Sequence, residues 1–104
     1  MKKKELLEFV EHFFTECIET MEKKNSDYTG ASKSEDPFSN FRATEVFGVS
    51  TEVGFVTRLT DKFSRLASFV KKGELEVKDE SVHDTIQDAV NYLVLLSAYL
   101  HSKK

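Results

Sequence analysis

The sequence holds few of the residues that punctuate or cross-link a chain: one cysteine, one proline, four glycines and no tryptophan in 104 residues. A single cysteine, Cys17, cannot form an internal disulfide. Together with three scattered histidines it also falls short of a structural zinc site, so a cytoplasmic protein is expected. Too few turn residues are present to connect many short strands, which favours a small number of long helices. No apolar run reaches the ~18 residues of a membrane span, and Met1 to Lys4 lead into a charged segment rather than a signal-peptide core. Neither sign of charge dominates: 15 Lys and Arg against 18 Asp and Glu leave a net charge of −3, which argues against a nucleic-acid polymer as partner.

What is present suits one helical domain spanning residues 1–104. Nine Phe and three Tyr supply a core, and the 39% hydrophobic share excludes wholesale disorder. Residues 3–23 read as a helix, with Leu6, Phe9, Val10, Phe13, Phe14, Cys17, Ile18 and Met21 recurring at spacings of three and four. Residues 25–40, rich in Asn, Ser and Asp, read as a long connection and a candidate functional loop. Asp36-Pro37 suits a helix start, and a short helix through Val46 and Phe47 ends at Gly48. Ser50 caps a helix over residues 51–71, which closes on Lys71, Lys72 and Gly73. Residues 74–78 form a connector with at most a strand stub, and Asp79 or Ser81 caps a last helix that runs to residue 101. From Ala89 to Leu100 that helix is apolar on nearly all sides, so a partner chain is expected to cover it. The fold class is all-α: three long helices and one short one, completed as a bundle by homo-oligomerisation.

Several residue groups carry chemistry. On the last helix Asp84, Gln87, Asp88 and Asn91 share a stripe, with Glu80 one turn earlier. Two carboxylates at i and i+4 invite a hard cation such as Mg²⁺, or else they form a solvated face with Asp84 serving the helix start. Arg58, Asp61, Lys62 and Arg65 form a second stripe, suited either to phosphate or to an i,i+4 ion-pair ladder. Glu52 falls on the apolar side of its helix and reads as a ligand or as a first-turn residue favoured by the dipole. Gly54 weakens that helix, and marks a close helix approach or backbone contact with a ligand. Between the long helices, Asn25, Tyr28, Phe38, Asn40, Phe41 and Arg42 offer stacking and hydrogen bonding to a base, while Phe38 and Phe41 equally suit core plugs. Cys17 reads as plain core, and the three histidines as solvated.

The order of these motifs is informative. Lys24-Asn25-x-Asp27-Tyr28, Asp36-Pro37-Phe38-x-Asn40-Phe41 and Gly48-Val49-x-x-Glu52-Val53-Gly54-Phe55 come first. Arg58-Leu59-Thr60-Asp61-Lys62-x-x-Arg65-Leu66 and Asp79-Glu80-Ser81-x-x-Asp84-Thr85-x-x-Asp88-x-x-Asn91-Tyr92 follow. Over residues 24–100 the chain resembles the phage and bacterial family called nucleotide modification associated domain 1. That family is similar to the all-α nucleoside triphosphate pyrophosphatases, the MazG-like and dimeric dUTPase-like enzymes. The resemblance implies Mg²⁺-dependent hydrolysis of a nucleoside triphosphate to monophosphate and pyrophosphate. Glu52, Asp84 and Asp88 then match the acidic metal ligands, Lys62 and Arg65 suit phosphate contact, and Asn91 suits substrate. The chain departs at Phe55, where the enzymes carry a second glutamate, and Glu80 is the candidate substitute. A non-catalytic nucleotide-binding protein, such as a phage factor that sequesters a host signalling nucleotide, is the alternative. A helical interaction module with a merely solvated acidic stripe is the third reading.

Overall fold

The structure is a computed structural model that describes residues 1–29, 36–75 and 81–103, with side chains described for all of these except 25–29. Helix α1 spans Lys3–Thr29, the short α2 spans Ser39–Arg42 and runs into a 3-10 turn at Ala43–Phe47, α3 spans Thr51–Lys72 and α4 spans Val82–Ser102. The described residues contain no strand, so the chain is all-α.

The sequence signals place most helix ends correctly. Ser50 Oγ accepts from the Val53 N–H at 3.2 Å and Ser81 Oγ from the Asp84 N–H at 3.0 Å, each satisfying an orphan donor of the first turn. The ends at Gly48 and Gly73 need left-handed backbone, with φ at 75° and 81°, and glycine adopts it without a Cβ penalty. Two boundaries differ from expectation. Helix α1 runs six residues beyond Lys23, through Asn25 and the poor helix formers that follow it, because extending a formed helix gains one hydrogen bond per residue fixed. Pro37 precedes α2 rather than opening it: Asp36 Oδ1 accepts from the Phe38 N–H at 3.0 Å, and Asp36 Oδ2 accepts from Arg42 Nε at 2.8 Å. That pairing also raises the Arg42 pKa above its ordinary value.

Helices α3 and α4 pack antiparallel, since Lys62 meets Asp88 while Glu52 at the start of α3 meets Lys103 just past the end of α4. Phe55 is the centre of the core, with no exposed surface. It stacks on Phe41 at a centroid distance of 4.1 Å and leans on Tyr99 at 5.9 Å. Phe38 closes the cluster edge-on to Tyr99, so both phenylalanines of the 38–41 segment are core plugs. Gly54 is where α2 and the 3-10 turn approach α3: a Cβ there would sit 3.2 Å from Thr44 Oγ1 and 3.4 Å from the Phe41 carbonyl. Gly54→Leu is therefore expected to cost about 1–3 kcal/mol through overpacking, read as a lower urea midpoint at unchanged slope.

Among the described residues helix α1 packs chiefly on α4, and two amides of α4 help to hold it there. Asn91 Nδ2 donates to the Cys17 carbonyl at 3.1 Å, and Gln87 Nε2 to the Phe13 carbonyl at 3.4 Å. The equal sequence offset makes α1 and α4 run in the same direction. His83 adds an aromatic clasp, edge-on to Phe13 at 5.6 Å and 3.7 Å from Glu16, so it has partners on α1 while staying half exposed. His12 also lies against Glu16, at 3.1 Å.

Much apolar surface is left uncovered. On α3, Val53, Val56, Thr60, Phe63, Ala67 and Val70 recur at alternating spacings of three and four, and all are exposed. On α4, Ile86, Val90, Leu93, Ser97 and Leu100 follow the same spacing, and all but the half-buried Val90 are exposed, with Ile86, Leu93 and Leu100 each 40–48% exposed. At about 100° per residue, the α4 stripe lies opposite Asp88 and the α3 stripe lies away from Lys62. Helix α1 exposes Leu7, Val10, Phe14 and Ile18. The chain's surface is 7662 Å², against about 5,900 Å² for a folded monomer of this mass. Its radius of gyration is 15.6 Å, where about 13 Å is usual for this length.

Candidate functional site

A cleft of about 230 Å³ opens between the C-terminal half of α1, the segment before α2, and α4. Met21, Pro37, Phe41, Tyr92 and Leu95 make its walls apolar, and Glu22, Lys24, Asp88 and Asn91 add polar groups. Each wall follows from the packing already described. The docking of α1 by Gln87 and Asn91 sets Met21 and Lys24 one and two turns beyond Cys17, on the side turned to α4. Phe41 is fixed by its stack on Phe55, and Tyr92 lies edge-on to Phe41 at 6.0 Å.

Asp88 is the most heavily engaged carboxylate of the site. Its Oδ1 accepts from Lys24 Nζ at 2.9 Å and its Oδ2 lies 3.1 Å from Lys62 Nζ. Asp88 and Lys62 are only 14% and 11% exposed, so this pairing is shielded from water far more than a surface ion pair. One carboxylate thus joins α1, α4 and α3. Above it, the Arg58 guanidinium lies 4.5 Å from the Phe41 ring centroid and 5.9 Å from that of Tyr92. With its amide oxygen turned to Arg58, Asn40 accepts from both terminal nitrogens at 2.8 and 3.2 Å. Arg58 is therefore held in place by aromatic faces and an amide.

The other sequence candidates are dispersed. Glu52 does not point into the core. It sits in the first turn of α3, paired with Lys103 Nζ at 3.0 Å, and this hydrogen bond holds its pKa below the ordinary carboxylate value while raising that of Lys103. Lys103 lies 15 residues beyond Asp88, or about 22 Å along the helix axis at 1.5 Å per residue. Within one chain, Glu52 and the Asp84–Asp88 pair therefore stand at opposite ends of the α3–α4 hairpin and cannot share one ion. Asp84 is exposed in the first turn of α4, where the helix dipole favours it. Among the described residues no three His, Cys, Asp or Glu side chains converge to hold a metal. Glu80 lies outside the described residues, as do the side chains of Asn25 and Tyr28.

On the cationic stripe, Arg65 pairs with Asp61 at 3.2 Å in the i,i+4 ladder, whereas Arg58 and Lys62 turn to α4. Arg42 lies outside the cleft, 5.2 Å from the Tyr99 ring. Asn91 lines the cleft, but its amide nitrogen is committed to α1. Burial, followed by the nearby Glu16 and Asp88 charges, pushes the Cys17 thiol pKa up and leaves it a weak nucleophile.

Sequence reasoning missed Lys24, Met21 and Leu95 as cleft residues. The signal was available for Lys24, which lies seven residues after Cys17 and so on the same face of a helix that continues past residue 23. Among the described residues no helix is long and apolar enough to cross a membrane. Comparison with known proteins returns no matching family model, curated protein or solved structure.

Proposed function

We propose that the chain is a nucleotide-binding protein that holds its ligand in the α1–α4 cleft without needing a metal centre built from one chain. The observation that carries this reading is the cleft itself: aromatic and aliphatic walls beside two lysines and a stacked arginine. At about 230 Å³ it is smaller than the ~300 Å³ at which pockets for whole small molecules begin, so it suits a planar base with its phosphate at the mouth. Tyr92 and the edge of Phe41, whose two faces are taken by Phe55 and Arg58, offer contact to that base, and Lys24 with Lys62 behind Asp88 offer donors to phosphate oxygens. The resemblance over residues 24–100 to nucleotide modification associated domain 1 supports the same ligand class, in the cytoplasm of a bacterial or phage-infected cell. The unpartnered apolar stripes of α3 and α4 support a homo-oligomer.

A Mg²⁺-dependent pyrophosphohydrolase is the second reading, favoured by Asp84 and Asp88 one turn apart on α4. It requires Asp88 to leave its two lysines, and a second copy to bring further carboxylates such as Glu52. Phe55, which fills the core where those enzymes carry a second glutamate, weighs against it.

Melting the full chain with ATP, GTP, CTP and UTP, in EDTA and in Mg²⁺, separates the two. Saturation at about 100 times Kd stabilises by about 2.7 kcal/mol, which raises Tm by roughly 10–20 °C in a domain of this size. The binding reading predicts that rise in EDTA for at least one nucleotide, with no pyrophosphate released in Mg²⁺. Steady pyrophosphate release, abolished by Asp88→Asn, would establish the hydrolase instead. No rise with any nucleotide in either buffer would overturn both.

A further inference from the structure

Asp88 stands where an anionic group of a ligand would be received. Its two oxygens take one ammonium from α1 and one from α3, which is how a phosphate would be gripped by the same two lysines. Glu22 and Lys24 on α1 are the other charged residues lining the cleft, while Arg58 on α3 lies against the Phe41 and Tyr92 rings, so the carboxylate sits in a balanced set rather than in an acidic patch. A carboxylate with both oxygens turned to ammonium groups is poorly placed to ligate a cation, yet it keeps both ammonium groups within about 3 Å of a carboxylate that lines the cleft.

We propose that Asp88 is an internal competitor for phosphate: it pairs with Lys24 on the cleft lining and with the shielded Lys62 behind it, and a ligand phosphate takes its place between the two lysines on binding. This deepens the nucleotide reading, because it sets how the phosphate of that ligand is received and how tightly. The two lysines come from separate helices, so exchange of their shared partner also couples ligand binding to the seating of α1 on the α3–α4 hairpin.

The test uses inorganic pyrophosphate as probe, titrated into the full chain in EDTA at fixed ionic strength. Asp88→Asn removes the competing charge and keeps the shape, so it is expected to bind pyrophosphate about tenfold more tightly than the native chain, the worth of one charge-assisted hydrogen bond. Lys62→Gln added to Asp88→Asn is expected to cancel the gain. Unchanged or weaker binding by Asp88→Asn overturns the proposal, as does a gain that survives Lys62→Gln. Should Asp88→Asn not fold, Lys62→Gln alone serves: pyrophosphate binding that is undiminished overturns the proposal, and binding weakened about tenfold supports it. The outcomes stay separable from those of the nucleotide reading. A native chain that binds ATP in EDTA, with Asp88→Asn no tighter for pyrophosphate, removes the competitor alone. An Asp88→Asn gain in a chain that binds no nucleotide removes the nucleotide reading alone.

Discussion

Phe55→Ala is expected to cost about 3–5 kcal/mol, enough to leave little folded protein at 37 °C in a domain of ordinary stability. The side chain has no exposed surface and supports three others: Phe41 stacked on one side, Tyr99 on the other, and Arg58 lying over the far face of Phe41. Removing it takes away the transfer energy of a full aromatic ring and leaves a cavity that rigid ring neighbours cannot collapse into. Phe55→Glu adds an unpaired carboxylate to that cavity and is expected to be more destabilising still. Urea unfolding followed by far-UV circular dichroism checks both. A Phe55→Glu chain as stable as the native one would show that this position can reach solvent or a metal, contrary to the packing described here.

The second large effect is expected at the back of the α3–α4 hairpin. The exposed apolar residues of α3 and α4 lie in two continuous stripes, the kind of face that one subunit of an obligate homodimer buries. The two stripes have the alternating three-and-four spacing that lets helices interdigitate in a four-helix bundle. A second copy meeting these stripes would cover Phe63 and Leu93, each about half exposed in the single chain. Light scattering after gel filtration is therefore expected to give at least twice the 11.9 kDa of one chain. Phe63→Glu with Leu93→Glu is expected to reduce the mass to that of one chain and to lower Tm by more than about 10 °C, because like charges would face each other across a formerly dry seam. A native mass of 11.9 kDa at 100 μM would contradict this assignment of the stripes.

The helices were legible in the sequence because their signals are local. Ser50, Ser81, Gly48 and Gly73 act within one turn of their own positions, and apolar periodicity needs no knowledge of the partner. Phe38 and Phe41 as core plugs, and Gly54 as a point of close approach, were legible for the same reason. The candidate site was less so. Asp84, Asp88 and Asn91 do share one side of α4, as spacing requires, but spacing does not say what faces them. Asn91 and Gln87 meet carbonyls of α1, Asp88 meets Lys24 and Lys62, and Asp84 meets solvent. Each outcome depends on where α1 lies, and α1 is positioned by contacts 64 to 74 residues away in sequence. Glu52 shows the same limit from the other side. Its place on the apolar wheel is real, but in the first turn a side chain reaches the surface, and there Lys103 receives it.

The central claim is that the cleft binds a nucleotide by its apolar walls and two lysines, without a metal. Isothermal titration of the native chain with ATP and with GTP, each in EDTA and in Mg²⁺, tests it most directly, with Met21→Trp as the variant that fills the cleft from α1. The account predicts saturable binding of at least one of the two in EDTA, little changed by Mg²⁺ and lost in a folded Met21→Trp chain. Binding that appears only with Mg²⁺, or that survives when the cleft is filled, would contradict it.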